Sequence, residues 1–508
     1  MDPRPAIFTS LLHEIAVVTL VCLGQFLTQA GVTMCLSSMN IIFDTFESSS
    51  GNDSLKVWFM SSFALTIGTF ILISGKLGDL FGHKTIFILG WIWTCIWSLI
   101  IGFSVYPKSI VFFIIGRAFQ GIGYAMVLPC GIGILGNIYP QNNSRKNLMF
   151  GIVGANGPSG AMVGALIGAA IAQSWWWPWL FWLLGILCAL LAVCSMFIIP
   201  ANINIQHTPA KELIRKFDFI GSTTGVIGLI LLNIVLVQGP IVGWNHGYVI
   251  ALLVVSVLLI VAFIILELKF IDNPLLPKSI FKVKIGLILL CISLGWGSFG
   301  VWQYYYWTII LNLREYTPID GALTYVPFLV FGILASMIVS IIISRIRPSL
   351  IISFASICFM IGCLMLSIMP IHQSYFGISL GQMFILCWAM DMSFPAASII
   401  LSDYLPMQHQ GMAGSLVTTV INYSVSFFLG LSNTVEIEVF NRNGHNIVDS
   451  YRKAILFGVG VAALGVLMSF VLVFLSKDDR NGTQFVTDSD TELQIEDSNI
   501  SEKKSNDL

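Results

Sequence analysis

The sequence predicts an all-α polytopic membrane protein, and three observations carry the prediction. The 508 residues are 56% hydrophobic and 10% charged, with a mean hydropathy of +0.87; a water-soluble core cannot absorb that much apolar side chain. Fourteen separate apolar stretches have the roughly 20-residue length with which a helix crosses a bilayer. With the N-terminus placed inside, the inner connections hold 18 of the 25 Lys and Arg, the outer connections with the span ends beside them hold 6, and Arg117 lies deeper within a span. That is a positive-inside bias, and it puts both termini in the cytoplasm. A closed barrel would show short alternating strands instead.

The first span, 14–42, carries CLGQFLTQAG, whose Gln25 and Gln29 are candidate cavity polar groups in a stretch without an acid. Thirteen residues precede it, with no basic n-region or small-residue cleavage site, so no removable signal is expected. The second span, 55–74, runs into GKLGDLFGHK, a polar island before the third span, 85–105. Gly75, Gly78 and Gly82 there let two helices approach closely. Asp79 could rest against the positive N-terminus of another helix and favour one packing of two bundles, a latch. The alternative is a tight turn whose Lys76 and Lys84 only follow the inside charge bias.

The fourth span, 109–138, contains IIGRAFQGIGYA. Arg117 lies about 10 Å inside it at 1.5 Å per residue, a costly position unless it faces a cavity or a partner. Snorkelling to the interface is the alternative. Gln120 and Gly121 share its face. The fifth span, 147–172, repeats small residues at Gly151, Gly154, Gly157, Gly160, Gly164 and Gly168 around Pro158, a packing stripe with one break in its hydrogen-bond ladder. The sixth, 178–199, follows WWWPW, 175–179, an interfacial aromatic belt.

Two long basic connections, 200–218 and 268–284, bracket the seventh and eighth spans, 219–239 and 246–267. They divide the chain into residues 1–13, a cytoplasmic N-terminus; 14–199, a six-helix bundle; 200–284, an inserted pair; 285–476, a second six-helix bundle; and 477–508, an acidic tail expected to be disordered. Duplicated transporters are built from six-helix halves, although self-similarity here is weak.

The second half opens with the ninth span, 285–311, whose VWQYYYW offers Trp302, Gln303 and Tyr306 as cavity candidates, with an aromatic belt as the alternative for 302–307. The tenth and eleventh spans, 321–344 and 348–370, are joined by SRIRPS, which keeps the basic residues of 75–84 without its glycines. The twelfth, 374–401, holds Asp391, the one carboxylate expected deep in a span and hence a proton-exchange candidate. The last two are 411–432 and 453–476.

All ten Cys fall in apolar spans, so no disulfide framework or metal pair is expected. HExxH and GxxxxGK[ST] motifs are absent, and the loops are too short for a nucleotide-binding domain. An enzyme, a cofactor, a nucleic-acid partner and ATP-driven transport are therefore not expected.

Gly75, Leu77, Gly78, Asp79, Gly82 and Lys84 resemble the loop signature of the major facilitator superfamily, with Leu80 where many members have a cation. Arg117, Gln120, Gly121 and Gly123 are similar to its helix 4 signature, in which the resemblance implies a proton-coupling role for the arginine. Gly157 and Pro158 match the antiporter motif of helix 5, but Ala161 and Met162 replace the two glycines that follow. With the six-two-six layout, the chain resembles the fourteen-helix drug:proton antiporter branch, and within it the fungal aminotriazole-resistance group. The resemblance implies a monomeric secondary transporter of a small solute, with protons and lipid as its other partners. Members are implicated in aminotriazole or borate export, or in low-affinity ammonium transport. A facilitator or a non-transporting sensor on the same fold is the alternative. The plasma membrane is the expected location, with vacuolar and endoplasmic reticulum membranes as alternatives.

Overall fold

The computed structural model describes residues 5–46, 53–139, 144–200, 218–271, 275–276, 280, 282–343, 345–404 and 412–475. The tail 477–508 and most of the connection 200–218 lie outside the described residues, as does part of 268–284.

Sixteen α-helices occur among the described residues: α1 Leu11–Ser37, α2 Met39–Asp44, α3 Trp58–Phe81, α4 His83–Phe103, α5 Ile110–Ile138, α6 Ser144–Ser174, α7 Pro178–Ile198, α8 Phe219–Val242, α9 Gly247–Lys269, α10 Val283–Thr308, α11 Pro318–Leu323, α12 Val326–Ile342, α13 Pro348–Ser367, α14 Ile378–Tyr404, α15 Met412–Arg442 and α16 Ile447–Leu475. A 3-10 turn at Asp53–Val57 precedes α3, and a π-helical turn at Ile309–Leu313 extends α10. Fourteen helical stretches are long and apolar enough to cross a membrane.

Local chemistry sets the starts and stops. The Ser10 hydroxyl accepts from His13 N at 3.1 Å at the start of α1, and Asp218 Oδ1 accepts from Gly221 N at 2.8 Å at the start of α8. Pro178, Pro318 and Pro348 occupy first turns, where the missing N–H costs nothing. Gly82, at φ +94°, ends α3.

Several boundaries differ from the sequence reading. Helix α3 continues through Gly75–Phe81, so the polar island is mostly a helix end and only Gly82 is the turn. The first span breaks at Ser38, whose hydroxyl bonds back to the Met34 carbonyl at 2.6 Å. Helix α15 runs ten residues past 432, to Arg442.

Helix α1 lies along α6, while α5 packs on α3 and α4, and α4 on α7. In the second half α13 packs on α14 and α16, and α10 on α15 and α16. The halves meet where α3 runs along α15 and where α6 meets α12. The inserted hairpin α8–α9 joins this seam, with α8 against both α15 and α3. Helix α9 turns Val254, Leu258 and Val261 outward, as a lipid-facing helix does.

Candidate functional site

Arg117 depends on a tight packing arrangement. A Cβ at Gly121 would stand 2.7 Å from the Phe63 carbonyl of α3, and one at Gly123 would stand 2.9 Å from the Gly90 carbonyl of α4. Glycines therefore let three helices close over the arginine, which is fully buried. Its Nη1 donates to Gln120 Oε1 at 2.6 Å, its Nη2 to the Gly31 carbonyl at 3.0 Å, and its Nε to the Phe59 carbonyl at 3.4 Å. The guanidinium sits 4.3 Å from the Phe63 ring centroid, and Gln120 Nε2 donates to Ser98 Oγ at 2.8 Å. The side chain does not snorkel. Its partners among the described residues are carbonyls, an amide and a ring, and it enters none of their ion pairs.

The glycines of α6 divide by task. Gly160, Gly164 and Gly168 press on the α1 backbone at Phe26, Ala30 and Met34. Gly154 has no atom within reach of a Cβ, and Gly157 has only Gln25 Nε2, at 3.8 Å. Pro158 crosses the seam: a Cβ at Gly332 of α12 would lie 2.6 Å from Pro158 Cβ and 3.9 Å from Asp391 Oδ2. Asp391 on α14 is bonded to the Ser336 side chain of α12. Its buried Oδ2 has no hydrogen-bond partner. The deep carboxylate thus stands at the contact between the halves.

The cavity candidates fall in two places. Gln25 and Gln29 are half-buried on α1. Trp302, Gln303 and Tyr306 are 0%, 5% and 0% exposed, buried in the bundle and away from the surface that an interfacial belt would occupy. Trp302 Nε1 donates to Gln382 Oε1 at 2.8 Å, Tyr306 donates to Thr324 Oγ1 at 2.7 Å, and Trp302 stacks with Tyr306 at 5.1 Å. Indole and phenol groups that find partners inside a bundle need not seek the interface. Trp175, Trp176 and Trp179 are exposed as a belt would be, whereas Trp177 is buried and donates to Thr45 Oγ1 at 2.9 Å.

In the stretch from Gly75 to Lys84, Asp79 is 71% exposed and pairs with His83 Nε2 at 3.2 Å, one turn on in the same hairpin. Lys84 donates to the Met196 and Ile199 carbonyls at 2.9 and 2.5 Å, a cation closing the C-terminus of α7. Gly75 and Gly78 face Pro129 and Cys130 of α5, and Gly75 also faces Ser415 of α15. Lys76 is the member that feels the inserted hairpin, through Asp218 and Glu267.

Asp391 is not the only carboxylate in the spans. Glu14 is 2% exposed and accepts from Arg145 Nε at 2.7 Å and from the Tyr139 hydroxyl at 2.6 Å. Burial and the Glu14 carboxylate hold Tyr139 above the usual phenol range, so it stays a donor. Glu267 is fully buried and accepts from Leu275 N and Leu276 N, each at 3.1 Å. Glu436 accepts from the Tyr305 hydroxyl at 2.6 Å. Glu14 and Glu267 sit at the margins of the sequence-read spans, and Glu436 lies beyond the one it belongs to. Only the true helix ends reveal them.

Fourteen helical stretches long and apolar enough to cross a membrane, packed along a seam that holds Asp391, define a polytopic membrane protein. Residues 21–430 match the Major Facilitator Superfamily, and the chain belongs to that family. It is 46% identical to the aminotriazole resistance protein of Saccharomyces cerevisiae over 452 residues, 88% of this chain and 81% of that one. It is 41% identical to that organism's low affinity ammonium transporter over 475 residues, 92% and 89% of the two chains. A solved POT family transporter with a bound thioalcohol-conjugated peptide shares the fold at 15% identity, with a TM-score of 0.65 over 92% of this chain and 97% of that one. The chain is a multi-pass membrane transporter and not an enzyme.

Proposed function

We propose that the protein is a proton-coupled exporter of a small polar solute or drug, in the class of aminotriazole or borate. The observation that carries this reading is the position of Asp391 beside Gly332, where α12 meets Pro158 of α6, with Oδ2 unbonded. A carboxylate at a seam that opens and closes meets two environments, and a proton moves only where its affinity differs between them. Arg117 serves as a fixed charge that holds α1, α3 and α5 in register. The Lys- and Arg-rich end faces the cytoplasm, at the plasma membrane, and the unit is a monomer. The stretch from Gly75 to Lys84 acts as a conformational latch.

Transport into reconstituted vesicles, with and without an imposed pH gradient, tests coupling. Uphill solute movement that collapses with the gradient, and is lost in Asp391→Asn, is the expected result. Transport indifferent to the gradient would favour the second reading, a low-affinity facilitator of a solute such as ammonium. Similarity to the low affinity ammonium transporter and the acid-free stretch at Gln25 and Gln29 support that alternative.

A further inference from the structure

A second polar cluster lies at the end of the seam away from the basic connections. Glu436 stands on α15 with Tyr305 of α10 donating to its Oε2 at 2.6 Å. Tyr304 of α10, Tyr451 of α16 and Asp53 of the 3-10 turn are close enough to feel its charge. Lys56 pairs with Asp53 at 3.3 Å, and none of the ion pairs formed by the described residues engages Glu436. A carboxylate in a membrane helix is costly without a counter-charge.

Two amides on the elements around it have unbonded groups. Asn433, one turn earlier on the same face of α15, is fully buried with neither Oδ1 nor Nδ2 bonded. Asn40 donates to Asn312 Oδ1 at 2.7 Å, which leaves its own Oδ1 buried without a donor. Asn312 is bonded in turn to Tyr451. With Lys56 engaged by Asp53, Glu436 enters no ion pair among the described residues, and the cluster offers free carbonyl oxygens. It also presents three phenol rings, whose faces attract cations. A small cation bearing N–H donors supplies both missing things at once.

We propose that this far-end cluster binds ammonium or a primary ammonium group, with Glu436 as its counter-charge and Asn433 as a further acceptor. Binding is read without transport, so its failure would leave the exporter reading untouched. The test is the melting temperature of the full-length protein in nanodiscs, followed by tryptophan fluorescence. Ammonium chloride is titrated at fixed pH and ionic strength, with potassium and tetramethylammonium chloride as comparison salts. The expected result is a saturable rise with ammonium alone. Glu436→Gln should weaken the apparent affinity at least about tenfold, since a charged hydrogen-bond partner is lost. Asn433→Ala, which removes no bond within the protein, should weaken it while folding normally, and so keeps the test available if Glu436→Gln fails to fold. No saturable rise in the wild type, an equal rise with potassium or tetramethylammonium, or a rise unchanged in Asn433→Ala would overturn the proposal. A dependence on pH alone, without an ammonium effect, would also overturn it and leave the proton as the occupant.

Discussion

Arg117 and Glu14 are both buried charges, and they are satisfied in different ways. Arg117 spends its donors on helix carbonyls and Gln120, so a lysine at 117 keeps the charge but loses the planar fork. Hydrogen bonds to a charged group are worth about 1.5 to 3 kcal/mol each. Arg117→Lys should therefore impair transport, and Arg117→Ala should reduce it at least about tenfold, measured as initial rate at matched protein abundance. Normal transport by Arg117→Ala would remove the arginine from the working parts. Glu14 instead carries a direct ion pair with Arg145 Nη2 at 2.6 Å. Glu14→Gln should lower the melting temperature, because Arg145 loses its counter-charge and its Nη2 loses an acceptor, and an unchanged melting curve would contradict this. The depth of Arg117 was legible in the sequence from its distance into an apolar run. That of Glu14 and Glu436 was not, because a charged residue near the end of an apolar run looks like the edge of a loop. The bond that makes Glu436 interior, from Tyr305, comes from a residue 131 positions away.

At the scale of elements, the glycine stripe of α6 separates packing from open space. Gly164 has no room for a side chain against the Ala30 backbone, whereas Gly154 meets nothing within 4 Å. Gly164→Val should therefore cost most of the folded protein, while Gly154→Val should fold at near wild-type yield, both read by fluorescence-detected size exclusion. The sequence showed one undivided stripe, since glycine spacing does not say which glycine has a neighbour. The stretch from Gly75 to Lys84 was recognisable by its pattern, yet its contacts were not. Asp79 is satisfied by His83 within the same hairpin, and the longer reach is that of Lys84, from α4 to the carbonyls at the end of α7. An exposed pair of this kind is worth about 0 to 1 kcal/mol. Asp79→Asn should then leave the melting temperature almost unchanged, and a latch role would show as a fall in transport at equal abundance. Unchanged transport would assign the stretch to turn formation alone.

For the whole molecule, all fourteen spans were legible because the bilayer imposes one length and one composition on each. The seam was not, because it joins residues far apart in the chain. Ser61 of α3 meets Ser426 of α15, whose hydroxyl donates to Asn233 of α8 at 2.9 Å. Gln173 accepts from Ile319 N at 3.0 Å, and Asn40 donates to Asn312. These bonds hold the halves together toward the end away from the basic connections, while Pro158, Gly332 and Asp391 meet between α6, α12 and α14. Alternating access would break one set of contacts as it forms another, and Asp391 would change surroundings on each turn of the cycle. The most direct measurement is solute movement in vesicles carrying wild type or Asp391→Asn, driven first by a pH gradient and then by the solute's own gradient. Loss of uphill transport in Asp391→Asn with downhill exchange retained is the predicted result; uphill transport that survives the substitution would contradict it.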